Sequence, residues 1–213
     1  MTTAKILLAE DHTIVMEVLK ALLEPEFQVV GSVDNGRDAV KAAAELKPDV
    51  VVLDVSLPQL NGIEAARQIR KVAPGVKIVF LTMHEDIGYM RQAFDAGASA
   101  YVVKHSASLD LQLAIRKALL GRTYITPGLA KEGADVLLNS VRRNKKEPSS
   151  LTPRQREIVQ LLAEGRSAKE TASILHLSPR TVEFHKYRLM ERLGIENTAQ
   201  LLQFAIKNNI VVG

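Results

Sequence analysis

Cysteine and tryptophan are both absent from the 213 residues, and aromatic residues amount to only 4%. Without cysteine there is no disulfide, no thiolate zinc site and no cysteine nucleophile. Cores with few rings must be filled by aliphatic side chains, and a hydrophobic content of 46% is enough for that. Long apolar runs are missing as well: no stretch approaches the roughly 18 residues that would span a bilayer. The start, MTTAKILLAEDH, meets acidic residues too early for a secretory signal. A cytoplasmic protein with no membrane contact is therefore expected. The length suits one large domain or two small ones.

The net charge of +4 is unevenly distributed. Residues 1–126 hold 14 Lys/Arg against 15 Asp/Glu, whereas residues 127–213 hold 14 against 9. The positive excess of the second part suits a polyanionic partner, although charge alone would equally describe a basic soluble surface.

Apolar runs rich in β-formers occupy residues 5–9, 27–33, 50–53, 77–81 and 100–103. Segments with helical periodicity follow them at 14–23, 36–45, 63–72, 87–96 and 109–120. Such alternation predicts a parallel sheet with right-handed crossovers. The runs DVVVLD and VKIVFL are apolar without alternation, as strands covered on both faces should be. From 127 to 150 the pattern weakens into the charged, breaker-rich LLNSVRRNKKEPSS, read as a linker. Four short helices are predicted beyond it. Thr152-Pro153 with Gln155, Ser167 with Glu170, Ser178-Pro179, and Asn197 with Gln200 supply their start signals. Gly165 and Gly194 stand where helix ends call for a left-handed residue.

The chemistry collects at the predicted strand ends. Glu10 and Asp11 follow KILLA, Asp54 follows DVVVL, Thr82 follows VKIVFL and Lys104 follows SAYVV. A parallel sheet brings these ends to one edge, where open sheets bind ligands. Asp54 could attack a phosphoryl group to form an aspartyl phosphate. Phosphoryl transfer rests on positioning and charge neutralisation, and magnesium is the natural neutraliser. Asp11 and Asp54 would supply metal oxygens, with Glu10 direct or through water and the Ser56 main-chain carbonyl adding another. Lys104 would balance the incoming phosphoryl charge, and the Thr82 hydroxyl could hydrogen-bond a phosphoryl oxygen. Taken singly, an Asp at a strand end is more often a cap or turn residue, and a Thr or Lys there packs or is solvated. Only their joint placement argues for phosphoryl chemistry.

Residues 4–121 resemble the receiver domain of bacterial two-component response regulators, through LLAEDH, VVLDVSLPQLNG, FLTMH and AYVVK in that order. The resemblance implies a five-stranded, doubly wound, flavodoxin-like α/β fold. It also implies phosphotransfer from a sensor histidine kinase to Asp54 and magnesium dependence. A switch is implied too, in which Thr82 moves toward the phosphoryl group while the Tyr101 ring turns inward. One departure is His105, which follows the site lysine where the family commonly has proline or an acid. His84 borders the cleft entrance, where it could affect how fast water removes the phosphoryl group. An exposed loop histidine is the plainer reading of both.

In the second part, AKETASILH leads through LS into PRTVEFHKYRLMERLG, a helix–turn–helix whose second helix would enter the major groove. Val182, Leu189 and Leu193 fall on one stripe and should pack inward, with His185 at its boundary. Arg180, Glu183, Phe184, Tyr187, Arg188 and Glu191 form the opposite stripe. Beside DNA, Phe184 and Tyr187 could meet thymine methyls or the sugar–phosphate backbone; a half-buried Phe184 is the plainer alternative. Lys169, Thr181, Lys186, Arg188 and Arg192 are candidates for backbone contacts.

Residues 151–207 resemble the LuxR-type helix–turn–helix, through LTPRQREIVQLLAEG, KETA, LSPRTVEFH and LGIENTAQL. Joined to a receiver, this marks similarity to the NarL/FixJ class. Ala168, Thr171 and Glu183 depart from residues frequent there, namely Asn, Ile and a basic residue. Glu183 would repel a phosphate but could accept a hydrogen bond from a cytosine amino group. The resemblance also implies dimers on two half-sites about one helical turn apart, with helix 198–207 as the contact. Its Leu201, Leu202 and Ala205 suit a dimer seam or the domain's own core, with core favoured for most.

The expected organisation is thus a receiver at 1–126, a linker at 127–150 and an all-α four-helix LuxR-type DNA-binding domain at 151–213. Phosphorylation of Asp54 would control sequence-specific DNA binding and transcription. Magnesium is the expected cofactor. The expected partners are a sensor histidine kinase, double-stranded DNA, a second copy of the chain and RNA polymerase. No enzyme activity is expected beyond turnover of its own phosphoryl group, so a phosphatase has little support. The alternative is a signalling-interaction protein whose receiver binds partners without phosphorylation and whose DNA contact is incidental.

Overall fold

The computed structural model describes residues 3–130 and 151–211. The chain divides into two compact units, Met1–Asn144 and Lys145–Gly213. Most of the expected linker, 131–150, lies outside the described residues.

The first unit runs β1 (Lys5–Ala9), α1 (Thr13–Leu23), β2 (Gln28–Val33), α2 (Gly36–Leu46), β3 (Val50–Leu53) and α3 (Gly62–Val72). It continues with β4 (Lys77–Thr82), α4 (Ile87–Asp95), β5 (Ala100–Val103), α5 (Ala107–Leu119) and β6 (Tyr124–Ile125). The sheet is parallel throughout, in the order β2-β1-β3-β4-β5-β6. Its first five strands have the flavodoxin-like order. Successive residues of each central strand face opposite layers. Leu7, Val51, Leu53, Ile78 and Phe80 belong to one core, and Ile6, Leu8, Val50, Val52 and Val79 to the other. Both faces are covered by helices, which is why these strands show no polar alternation in sequence.

Six strands replace the expected five. β6 has only two residues, paired Ala100↔Tyr124 and Tyr101↔Ile125 beside β5. A left-handed Gly121 (φ 71°) ends α5 and turns the chain back to the sheet. The Tyr124 hydroxyl donates to Asp110 Oδ1 at 2.7 Å. Burial, then that hydrogen bond, pushes the phenol up to about 12. Two residues are too few to show a period, so this strand is set by pairing and not by local pattern.

The segment after β3 folds tightly against the strand end it leaves. The Gly62 N–H donates to the Val55 carbonyl at 2.9 Å. A Cβ at Gly62 would lie 1.9 Å from the Asp54 carbonyl oxygen, so only glycine fits there.

The second unit consists of α6 (Pro153–Ala163), α7 (Ala168–Leu175), α8 (Pro179–Leu193) and α9 (Thr198–Lys207). Every predicted cap is present. Thr152 with Gln155 and Ser167 with Glu170 form capping boxes, Ser178 accepts from the Thr181 N–H, and Asn197 from the Gln200 N–H. Gly165 and Gly194 adopt φ of 81° and 65°. Ile158, Val159, Leu161, Ala172, Leu175, Val182, Leu189, Leu201 and Ala205 fill the core. Leu202 does not join them: it stays 39% exposed, with Ile206 beside it at 37%. A helix this short has one inward stripe, and Leu201 with Ala205 occupies it at i, i+4 spacing.

Candidate functional site

Four neighbouring strands deliver the first group of residues. Glu10 and Asp11 follow β1, Asp54 follows β3, Thr82 ends β4 and Lys104 follows β5. Glu10, Asp54 and Thr82 are buried, and Asp11 lies at the rim. The Asp54 N–H donates to the Ala9 carbonyl at 3.0 Å, which ties the β3 end to the β1 end. Lys104 Nζ lies 2.6 Å from Glu10 Oε2 and 2.7 Å from Asp54 Oδ2. Burial alone would lower the lysine pKa. Asp54, then Glu10, outweigh it and raise the value, so Lys104 stays charged. Two buried carboxylates are thereby held in reach of one cation.

His12, which the sequence reading did not single out, closes the rim. Its Nδ1 lies 2.9 Å from both Glu10 Oε1 and Asp11 Oδ1. The hydrogen bond to Glu10, then the charge of Asp11, raises its pKa. The only sequence signal was adjacency to the acidic pair. The ligand atoms of Glu10, Asp11 and His12 lie within 4.8 Å of one another. Asp54 is joined to this group through Lys104. Oxygen donors of this kind fit a hard divalent cation such as magnesium.

Ser56, two residues past Asp54, returns its N–H to Asp54 Oδ1 at 3.3 Å. Its hydroxyl shares a hydrogen bond of 2.9 Å with His84 Nε2. The His84 N–H donates to Thr82 Oγ1 at 3.3 Å, and the His84 carbonyl accepts from the Tyr101 hydroxyl at 2.9 Å. The His84 ring stacks on Tyr89 of α4, with centroids 4.1 Å apart and planes 18° apart. Burial lowers the His84 pKa, and burial, then the Asp54 charge, raises that of Tyr101. Tyr101 is fully buried, so its ring is in the inward position. The plainer reading of His84 as an exposed loop residue is thus wrong: ring stacking and three hydrogen-bond partners, Ser56, Thr82 and Tyr101, fix it. His105 does match that reading, exposed and 3.3 Å from Glu85. Without a proline after it, Lys104 opens a short 3-10 turn, Lys104–Ser106.

Thr126 also escaped the sequence reading. Its N–H donates to the Tyr101 carbonyl at 3.0 Å, and its hydroxyl accepts from the Val103 N–H at 3.1 Å. Only the pairing of β6 reveals this.

The second group lies on α8. The inward stripe is as expected: Val182 and Leu189 are buried, and Leu193 packs partly against the core. Phe184 is 57% and Tyr187 64% exposed, which rejects the half-buried alternative for Phe184. Arg188 lies 5.9 Å from the Phe184 ring centroid and Lys186 5.8 Å from that of Tyr187. Arg180, Arg188, Glu191, Arg192 and, on α7, Lys169 are exposed. Thr181 instead shares its hydroxyl with Ser178 at 2.8 Å, as part of the cap. Arg154 anchors the helix pair: it pairs with Glu157 at 2.9 Å and donates to the Leu175 carbonyl at 2.6 Å. The turn between α7 and α8 passes through a left-handed His176 (φ 53°). His185 is half-buried and lines a cleft with Gln155, Arg188, Glu191 and Arg192.

Comparison with known proteins agrees with both halves. Residues 6–116 match the family described as response regulator receiver domain, and residues 149–205 the bacterial regulatory proteins of the luxR family. The chain is a LuxR-type response regulator. This regulator is 33% identical over 211 residues to the response regulator GacA of Pseudomonas aeruginosa, covering 97% of each chain. A structure of RcsB from Salmonella typhimurium is 25% identical with a TM-score of 0.64, covering 98% of the regulator and 99% of RcsB. A structure of an RcsB–DNA complex is 26% identical with a TM-score of 0.58, covering 97% and 99%. Among its described residues, no helix of the regulator is long and apolar enough to cross a membrane.

Proposed function

We propose that this regulator receives a phosphoryl group on Asp54 from a sensor histidine kinase and thereby controls DNA binding and transcription in the cytoplasm. The observation that carries the reading is the single ammonium of Lys104 between Glu10 and Asp54, 2.6 and 2.7 Å from their oxygens. A site that already gathers two carboxylates around one positive charge is built for charge neutralisation at a phosphoryl group. An Asp54 oxygen attacks phosphorus, the bond to the histidine nitrogen of the donor breaks, and that nitrogen keeps the electron pair. Glu10, Asp11, Asp54 and the Ser56 carbonyl would hold magnesium, which neutralises phosphoryl charge when bound. Lys104 moves from a carboxylate partner to the phosphoryl oxygens, and the Thr82 hydroxyl donates to one of them.

On the DNA side, Phe184, Tyr187 and Arg188 form a face that water tolerates poorly and a major groove can accept. Arg180, Lys186, Arg192 and Lys169 bind phosphates, while Thr181 contributes through its cap. Glu183 has no described hydrogen-bond or ion-pair partner, although Arg180 and Lys186 are both three residues away. In the N-terminal part of a recognition helix it is placed where base edges are read, and it accepts from a cytosine amino group. Dimers on paired half-sites, with Leu202 and Ile206 of α9 in the contact, and recruitment of RNA polymerase complete the reading. In this reading the receiver is 1–126, the linker 127–150 and the DNA-binding domain 151–213.

The alternative is a signalling-interaction protein whose receiver binds partners without phosphorylation. Selection from random duplexes at one fixed salt concentration separates the two, because non-specific affinity falls steeply with salt. With a phosphoryl mimic on the receiver, an inverted repeat should be enriched, and without it enrichment should fall. Equal enrichment in both conditions would establish constitutive binding, and no enrichment in either would favour an interaction protein.

A further inference from the structure

A buried tyrosine hydroxyl needs an acceptor, and for Tyr101 that acceptor is the His84 main-chain carbonyl. The inward position of Tyr101 therefore depends on where the β4–α4 loop places residue 84. A loop carbonyl next to an open cleft has no intrinsic reason to stay in one place. Here the side chain of the same residue fixes it from two directions. Nε2 is bonded to Ser56 Oγ in the loop after Asp54, and the ring lies flat on Tyr89 of α4. The His84 N–H is bonded to Thr82 Oγ1, so the loop is also pinned where β4 ends.

We propose that His84 is a positioning residue, a latch that joins the phosphoacceptor loop to the β4–α4 loop and holds Tyr101 inward before any phosphoryl group arrives. The inference rests on the phosphoacceptor reading of Asp54 and specifies how that site is regulated. One residue thereby ties Ser56 and Tyr89 through its side chain to Thr82 and Tyr101 through its main chain. The latch is compatible with the phosphorylated state as well. A threonine hydroxyl that accepts from the His84 N–H still has its own proton to donate to a phosphoryl oxygen. Latch and phosphoryl group therefore favour the same arrangement, and the resting receiver already lies partway along its switch. A ligand shifts such an equilibrium only by its differential affinity. The phosphoryl group thus has less left to shift here than in a receiver lacking the latch.

Amide hydrogen exchange on the full chain, without and with beryllofluoride and magnesium, tests this. Without the mimic, His84→Ala should raise exchange across residues 82–90 and 100–103 about fivefold, the effect of one lost neutral hydrogen bond. Residues 5–9 should exchange as before. His84→Gln, which can still reach Ser56 Oγ, should restore part of the protection. Ser56→Ala, which keeps the main-chain carbonyl, should reproduce the loss if His84→Ala fails to fold. With beryllofluoride, the variants should regain wild-type protection. Unchanged exchange at 82–90 and 100–103 in the variants would overturn the latch. So would an equal rise at residues 5–9, which would reduce His84 to a structural role. If beryllofluoride alters nothing in the wild type, the reading of Asp54 fails, while the latch is still judged by the mimic-free arm.

Discussion

In the receiver the residues proposed to carry the chemistry are buried, with Glu10 and Asp54 each 3% exposed and satisfied by Lys104. In the DNA-binding unit the residues proposed to meet DNA are the exposed ones, Phe184 and Tyr187 among cations on one helix face. The receiver builds its site by convergence, since four strands each deliver one or two groups to a single edge. The DNA-binding unit builds its site by projection, since one helix displays a stripe. Convergence gives charges that are paired and strongly coupled, so a single change disables the set. Projection gives independent contacts, so a single change alters one part of the read-out and leaves the rest.

The sharpest separation comes from Asp54→Asn. Magnesium-dependent labelling by a small-molecule phosphodonor should fall to background, while mimic-free binding to bulk duplex DNA persists. Retained labelling would remove Asp54 from its role. The next effect is smaller and confined to one base pair. Glu183→Gln exchanges an acceptor for a group that both donates and accepts, so preference should move from cytosine toward adenine. A bidentate base contact is worth about 1–3 kcal/mol, which corresponds to a factor of roughly 5 to 150. Competition between duplexes differing at that pair reads it out, and an unchanged preference would show that Glu183 reads no base.

Buried polar groups give a third contrast. Glu10, Asp54 and Thr82 all have partners, but the Thr171 hydroxyl is buried in the α6–α9 core with none among the described residues. Thr171→Val keeps the shape and removes the unsatisfied group, so the DNA-binding unit should gain about 1 kcal/mol. The midpoint of denaturant unfolding measures it, and no gain would mean that the hydroxyl is satisfied in solution. The smallest effect belongs to the exposed capping box of α7. Hydrogen bonds from Ser167 lower the Glu170 pKa below its ordinary 4.5. A depressed folded value contributes stability above pH 4.5, which is lost as pH falls through the folded pKa. Glu170→Gln should flatten that part of the stability profile, whereas an identical profile would show that the cap has no charge dependence.

Local signals were legible in the sequence wherever a few consecutive residues set the outcome. The caps at Thr152, Ser167, Ser178 and Asn197 are such cases, since a capping box closes within four residues. The inward and outward stripes of α8 follow from the helical period. The strand ends carrying Glu10, Asp11, Asp54, Thr82 and Lys104 were legible too, because β3 and β4 announce themselves as apolar runs. Core is expected for most of Leu201, Leu202 and Ala205, and Leu201 and Ala205 take it, but apolar character alone does not say which of two adjacent leucines takes the single inward stripe.

What the sequence by itself determined is the order of elements, the family and the identity of the groups at the sheet edge. Tertiary structure alone decided which of those groups touch. Lys104 bridges Glu10 and Asp54, His84 joins Ser56 to Tyr101, and Thr126 binds the backbone of β5 from a strand of two residues. The reason is physical. Composition and period fix which face of an element is apolar, over a few residues at a time. A hydrogen bond between residues 28 or 50 positions apart depends on angstrom-scale placement, which only the packed sheet and its covering helices impose.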